Sequence, residues 1–314
     1  MELRFKQMAA YSHALVTTKG IKELIKSIQG LDVAAKIQAT LGEGPAWNTK
    51  LAVLHFVDIL GKKVYTHNPE LGTIDHFSTE MSPGAVLPTN ANKLAIALDD
   101  GLYLADFDGK NLEKKFSIEP EILGNRMNDA KCDPHGVLFG GTMGDGNSPT
   151  GSLYRIDSHG ITKVLKDVTV SNGLAWNPDG SKMYYIDSGK KSVQVSDFDA
   201  STSSIIGFTN FIEFPDSFGI PDGMCADKEG GIWVAFFGGQ QVRRFSAEGI
   251  QTHEIHLPVP QITSCCFAGE DSTILYITTA SIDLGDGRKI GSDDGNLFRI
   301  DVGIPGAGTV PFVL

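Results

Sequence analysis

The stretch Ser171–Gly180 reads SNGLAWNPDG. An Asn-Gly pair opens a short apolar run and Asn-Pro-Asp-Gly closes it, so a strand is bracketed by two chain reversals. Taken alone this is turn chemistry. It gains weight because it recurs: EGPAWN starts at Glu43, NDAKCDPHG at Asn128 and DGMCADKEG at Asp222. Each stretch begins with Glu, Asn or Asp and has Asn or Asp five residues on, at Asn48, Asp133, Asn177 and Asp227. Three of the four reach glycine eight residues after the start, at Gly136, Gly180 and Gly230.

The surroundings repeat too. From about residue 33 the chain is a series of short β-like runs, such as LAVLHFVDIL, VLFGGTM, KMYYID and IWVAFF, separated by Gly, Asp, Asn and Pro. Glycine supplies 36 of 314 residues, above the usual ~7% and suited to many tight turns. Strand cores near Phe56, Ile96, Phe139, Tyr185, Trp233 and Tyr276 follow one another at 40, 43, 46, 48 and 43 residues. A period of that size, with several strands per unit, predicts an all-β fold, a six-bladed β-propeller over residues 35–314. Residues 1–34 read differently. Ile21, Leu24, Ile25, Ile28 and Leu31 recur at helical spacing, and residues 1–30 carry five Lys/Arg against two Glu. A short N-terminal extension, helical or partly disordered, is expected there.

A formal net charge of −11 repels phosphate backbones, so nucleic acid is not an expected partner. No apolar run is long enough to span a bilayer, and the N-terminus lacks a continuous apolar signal-peptide core. Four cysteines without a CxxC pair suit a reduced compartment. These features predict a cytoplasmic monomer acting on a small molecule, with neither membrane nor nucleic acid as partner.

In a propeller the innermost strand of each blade lines a central channel. Glu43, Asn128, Asn172 and Asp222 would then converge at one channel mouth. Asn48, Asp133, Asn177 and Asp227 would fall in the turns at the far ends of the same strands. Two carboxylates and two amides form an oxygen-rich set that suits a hard divalent cation. Without a cation, the pKa of one carboxylate should rise. Gly173 is expected to let the chain turn away after Asn172.

The blocks GEGPAW, NRMNDAKCDPHGVLFGGTM, SNGLAWNPDGSKMYYIDS, PDGMCADKEGGIWVA and TSCCFAG resemble, in this order, the regucalcin (senescence marker protein), gluconolactonase and luciferin-regenerating enzyme family. The resemblance covers about residues 35–314. It implies a six-bladed propeller with one divalent ion in the channel, Ca²⁺ or Zn²⁺, with Mg²⁺ or Mn²⁺ as alternatives. By the same resemblance Glu43, Asn172 and Asp222 are the metal ligands, Arg126 and Asn128 contact substrate, and the activity is hydrolysis of lactones. Asp222, or a water held by it, is the expected general base. One stretch departs from the family pattern. Mammalian regucalcins carry a Glu pair shortly after GTM, whereas GTMGDGNSPTG has Asp145 as its only acid. Asp145 is therefore a candidate substrate contact of shorter reach, and a less hydroxylated substrate is the alternative.

Two other readings share this resemblance: a luciferin-regenerating-type activity on an aromatic heterocycle, and a non-enzymatic calcium-binding regulatory protein. An apolar or aromatic channel mouth favours the heterocycle, and a polar one favours sugars. Asp187 is a weaker candidate near the metal. His253 and His256, in HEIH, should point to opposite faces of a strand. No GxSxG elbow is present.

Overall fold

The computed structural model describes residues 25–285 and 287–314. Six sheets, antiparallel apart from one short added edge strand, follow one another along the chain. Their first strands are Gly42–Asn48, Ala85–Pro88, Arg126–Cys132, Ser171–Trp176, Ile220–Ala226 and Ile262–Phe267. Each packs against the first strand of the next sheet, and the sixth packs against the first, closing a ring. This is the expected six-bladed β-propeller. The strand cores that set the sequence period all fall in second strands: Val53–Asp58, Leu94–Leu98, Leu138–Met143, Lys182–Asp187, Ile232–Phe237 and Ile274–Thr279.

The core is divided in the same way as the sheets. Six apolar clusters fill the six seams, each built from two neighbouring blades. Trp233, Phe267 and Phe298 close the seam between blades 5 and 6. Phe139, Trp176 and Tyr185 close that between blades 3 and 4. Every blade thus buries apolar surface on both faces, which is why first and second strands read as near-continuous apolar runs.

The far-end turns carry the chemistry expected of them. Asp133 Oδ1 accepts from His135 N and Val137 N, both at 2.9 Å. Asn177 Oδ1 accepts from Lys182 N at 2.8 Å. Asp227 Oδ1 accepts from Glu229 N and Gly231 N. Gly136, Gly180 and Gly230 adopt φ of +84°, +69° and +83°, a region open to glycine at no steric cost. Asp227 also forms a buried ion pair with Arg244, Nε to Oδ2 at 2.7 Å.

The expected helical extension is corrected where it is described. Residues 1–24 lie outside the described residues, and the part that follows is extended. Lys26–Ser27 pairs parallel with Gln251–His256 of blade 5, and Ile28 and Leu31 pack on the seam between blades 5 and 6. Asp32–Ala35 pairs with Leu297–Asp301 as the outermost strand of blade 6. Spacing over a ten-residue run fits helix and edge strand alike, and long-range pairing decides between them. Among the described residues the only helical pieces are two 3₁₀ turns, Ser188–Lys190 and Asp216–Phe218.

The chain ends as a strap across one end of the channel. Ala307 N donates to Ala226 O, Trp47 N to Thr309 Oγ1, Phe312 N to Pro88 O and Val313 N to Gly136 O. Phe312 is fully buried between blades 2 and 3. The strap ties together blades 1, 2, 3 and 5 and leaves the opposite end as the mouth.

Candidate functional site

Glu43, Asn128, Asn172 and Asp222 lie near the mouth ends of the first strands of blades 1, 3, 4 and 5, and all are buried. At each of them the pairing with the second strand slips, between Glu43 and Ala46, Met127 and Ala130, Ser171 and Leu174, and Pro221 and Met224. A bulge breaks the in-out alternation and re-aims the residues it contains. The strands can crowd the axis because glycine follows three of the four. A Cβ at Gly44 would stand 3.2 Å from Ala85 Cα, one at Gly173 2.7 Å from Asp222 O, and one at Gly223 2.8 Å from Ser264 Cα. The role expected for Gly173 is thus corrected. It does not adopt positive φ; it is a glycine because the next blade's backbone occupies the space of a side chain.

In blade 3 the equivalent position is Asp129, a buried carboxylate that the sequence reading passed over. Its signal was present: Glu43, Asn172 and Asp222 are each followed by glycine, and only Asn128 is followed by an acid. Three acidic groups therefore share one desolvated region. Glu43 Oε2 accepts from Gly44 N at 2.8 Å, and Glu43 and Asp222 act on each other electrostatically. Burial and then the charge of Asp129 push the Glu43 carboxyl upward. Burial, then Glu43, then Asp129 push Asp222 well above the carboxylate range. Asp129 is itself raised by burial, with Lys131 opposing.

Amides brace this cluster. Asn128 Nδ2 donates to Ser171 O at 2.8 Å and to Asn172 Oδ1 at 3.3 Å. Its Oδ1 accepts from Arg126 Nη1 at 2.7 Å. Asn172 Nδ2 donates to Ser188 Oγ at 2.9 Å, and Ser188 Oγ donates to Pro221 O at 2.7 Å. Arg126 also reaches Met127 O through Nη1 and Met143 Sδ through Nη2, at 2.9 and 3.2 Å. A thioether is a weak acceptor, so Nη2 retains donor capacity toward a ligand.

Asp145 does not join this group. It is exposed, and its Oδ1 accepts from Asn147 N and Ser148 N at 2.9 and 2.8 Å, capping its own loop. Asp187 is a blade contact: its carboxylate accepts from Thr169 N, Val170 N and Gly189 N. His253 packs near Trp233, while His256 is exposed beside Glu254 and Gln241.

The donor set suits a divalent cation. Glu43 and Asp222 are close enough to require a shared proton or a counter-charge, and Asn172 supplies a neutral oxygen. Among the described residues, no three His, Cys, Asp or Glu side chains are grouped to hold an ion, so an amide oxygen has to complete any ligand set here. A cavity of about 340 Å³ lies at the opposite end of the channel, lined by Lys131, Trp176, Cys225, Cys266 and Thr309. It includes none of the mouth residues. No described helix is long and apolar enough to cross a membrane.

Known proteins share this fold. The profile of the SMP-30/gluconolactonase/LRE-like region matches residues 41–281. A Bacillus subtilis protein, provisionally named a sugar lactone lactonase, is 32% identical over 282 residues, covering 88% of this chain and 97% of its own. The solved structure of a luciferin-regenerating enzyme superposes with a TM-score of 0.85 at 32% identity, over 91% of this chain and 99% of that one. A calcium-binding protein, regucalcin, from Agrobacterium tumefaciens gives a TM-score of 0.85 at 28% identity, over 92% and 98%. The chain belongs to the SMP-30/gluconolactonase/LRE-like family.

Proposed function

We propose that this protein is a divalent-metal-dependent lactonase, with Glu43, Asn172 and Asp222 holding the ion. The carrying observation is that Glu43 and Asp222 are buried together in one desolvated channel mouth, where burial and then the charge of Glu43 push Asp222 upward. Such a pair is costly unless a proton or a cation lies between them. Support comes from relatives named for lactone hydrolysis and for calcium binding.

When bound, a divalent cation supplies electrophilic polarisation of the lactone carbonyl and charge to offset the developing oxyanion. Asp222 accepts the proton of the attacking water. Arg126 donates from Nη2 to a substrate oxygen, and Asn128 fixes the guanidinium through Nη1. Ser188 holds Asn172 so that its Oδ1 faces the cluster rather than the seam. Depth in the mouth keeps bulk water from screening these charges.

The test is hydrolysis of a lactone panel by wild type and Asp222→Ala, each with Ca²⁺, Zn²⁺, Mn²⁺ and Mg²⁺. The proposal expects metal-dependent turnover that the variant loses by at least roughly a hundredfold. Wild-type rates in the variant overturn it. Tight calcium binding without turnover of any lactone would favour a regulatory calcium-binding role.

A further inference from the structure

We infer that the cavity at the strap end of the channel is a second small-molecule site, built for an organic carboxylate with an apolar body. It is separate from the mouth and does not depend on the chemistry proposed there. Its volume of about 340 Å³ lies within the range of small-molecule sites, about 300–1,000 Å³. One wall is the strap, residues 307–311, and the others are the far ends of the first strands of blades 3, 4, 5 and 6. Ala175, Trp176, Ala226, Phe267 and Val310 give it apolar surface. Pro178, also on the wall, is exposed, so the cavity reaches solvent.

Two donors on this wall have capacity left. Lys131 Nζ donates to Met224 O at 2.6 Å, reaching from blade 3 to blade 5, and an ammonium carries two further N–H groups. Its charge is felt by Asp129 on the same strand, but among the described residues it forms no ion pair. Glu270, the carboxylate on the cavity wall, is paired with Lys228 at 3.0 Å. The second donor is Trp176 Nε1, which is buried and meets no acceptor among the described residues. A partly buried cation without a counter-ion and an indole N–H without an acceptor are both costly. A carboxylate brings the charge and the acceptor atoms that these two groups lack. One ammonium matches one negative charge, so a monocarboxylate fits better than a phosphate dianion, whose oxygens call for more donors. The apolar wall then covers the rest of the molecule, the plan that small-molecule sites follow generally.

The experiment is calorimetric titration of the full chain, with Mg²⁺ present, by 2-naphthoate, its uncharged amide 2-naphthamide, and inorganic phosphate. Wild type is compared with Lys131→Met, Val310→Trp and Asp222→Ala, each checked by thermal melting. Expected is one 2-naphthoate per chain with a dissociation constant below about 1 mM. The amide should bind at least roughly tenfold more weakly, and phosphate more weakly than 2-naphthoate. Lys131→Met should weaken 2-naphthoate by at least the same factor. Val310→Trp fills the cavity from the strap without touching the cation and should abolish binding; it decides the matter if Lys131→Met does not fold. Asp222→Ala, at the mouth, should bind 2-naphthoate as wild type does. No saturable binding of 2-naphthoate, equal binding of acid and amide, tighter binding of phosphate, or full binding in Val310→Trp overturns the inference. So does loss of binding in Asp222→Ala, which would put the ligand at the mouth. None of these results bears on lactone hydrolysis.

Discussion

Asn128 Nδ2 lies 3.3 Å from Asn172 Oδ1, so an amide of blade 3 holds an amide of blade 4 in place. The same Asn128 side chain accepts from Arg126. Asn128→Ala should therefore disturb both sides of the site. Outer partners of metal ligands typically contribute roughly 10–100-fold to affinity or activity, and a fall of that size is expected both in kcat/KM and in calorimetric affinity for the divalent ion. A raised KM with unaltered ion affinity would make Asn128 a substrate contact only.

Glu43→Gln removes one of the buried like charges. In chelator the variant should be more stable than wild type, by about 1–2 kcal/mol, because the remaining carboxylate no longer faces a second one. Added divalent ion should raise the melting temperature of wild type but not of the variant. Equal ion-dependent shifts would remove Glu43 from the ligand set.

His55 is buried, with Nδ1 2.9 Å from Thr66 Oγ1 and its ring stacked on Phe107. Burial lowers its pKa from 6.5 to about 4. Between those values the unfolded chain takes up a proton that the folded chain refuses. The resulting stability is present above pH 6.5 and is lost as pH falls toward 4, on the order of 3 kcal/mol in all. Urea unfolding at pH 7 and pH 4.5 should show a smaller difference for His55→Gln than for wild type. Parallel losses in the two proteins would place the acid sensitivity elsewhere.

Gly173→Ala places a methyl 2.7 Å from Asp222 O. Overpacking of this kind costs about 1–3 kcal/mol, and here the displaced strand carries the proposed base. Lower stability together with lower kcat is the expected result; a variant that melts and turns over like wild type would show that the first strands can yield.

Phe312→Ala empties a fully buried site between blades 2 and 3. The loss should be about 3–5 kcal/mol, read by urea unfolding. A change under about 1 kcal/mol would mean that the strap's backbone bonds, not its side chain, seal the channel.

Much of the ring was legible because successive blades repeat short apolar strands at a steady period, and three of them the same kind of turn residue, at Asp133, Asn177 and Asp227. Residues in register along the chain became neighbours around an axis, which brought Glu43, Asn172 and Asp222 together. Asp129 was passed over, despite standing where the other corners have glycine, because alternation places it on the opposite face from Asn128; the slip between Met127 and Ala130 puts both residues inside. Asp145 looked available because its Asx-type cap depends on loop geometry that composition does not carry. The segment Ile25–Leu31 was misread because it finds its partner, His253–Glu254, more than two hundred residues later in the chain.

The pairing of Asp32–Ala35 with Leu297–Asp301 has a consequence for synthesis. Ile37 N and Asn296 Oδ1, which bond beside that junction, are 259 residues apart. The strand that completes the last blade leaves the ribosome among the first described residues and waits for nearly all the others. Contacts of such separation are slow to form. Until they do, Leu297–Asp301 presents an open edge that the corresponding strand of another nascent chain can occupy. The last blade therefore closes only after Leu297–Asp301 has been made and has met a strand made long before it.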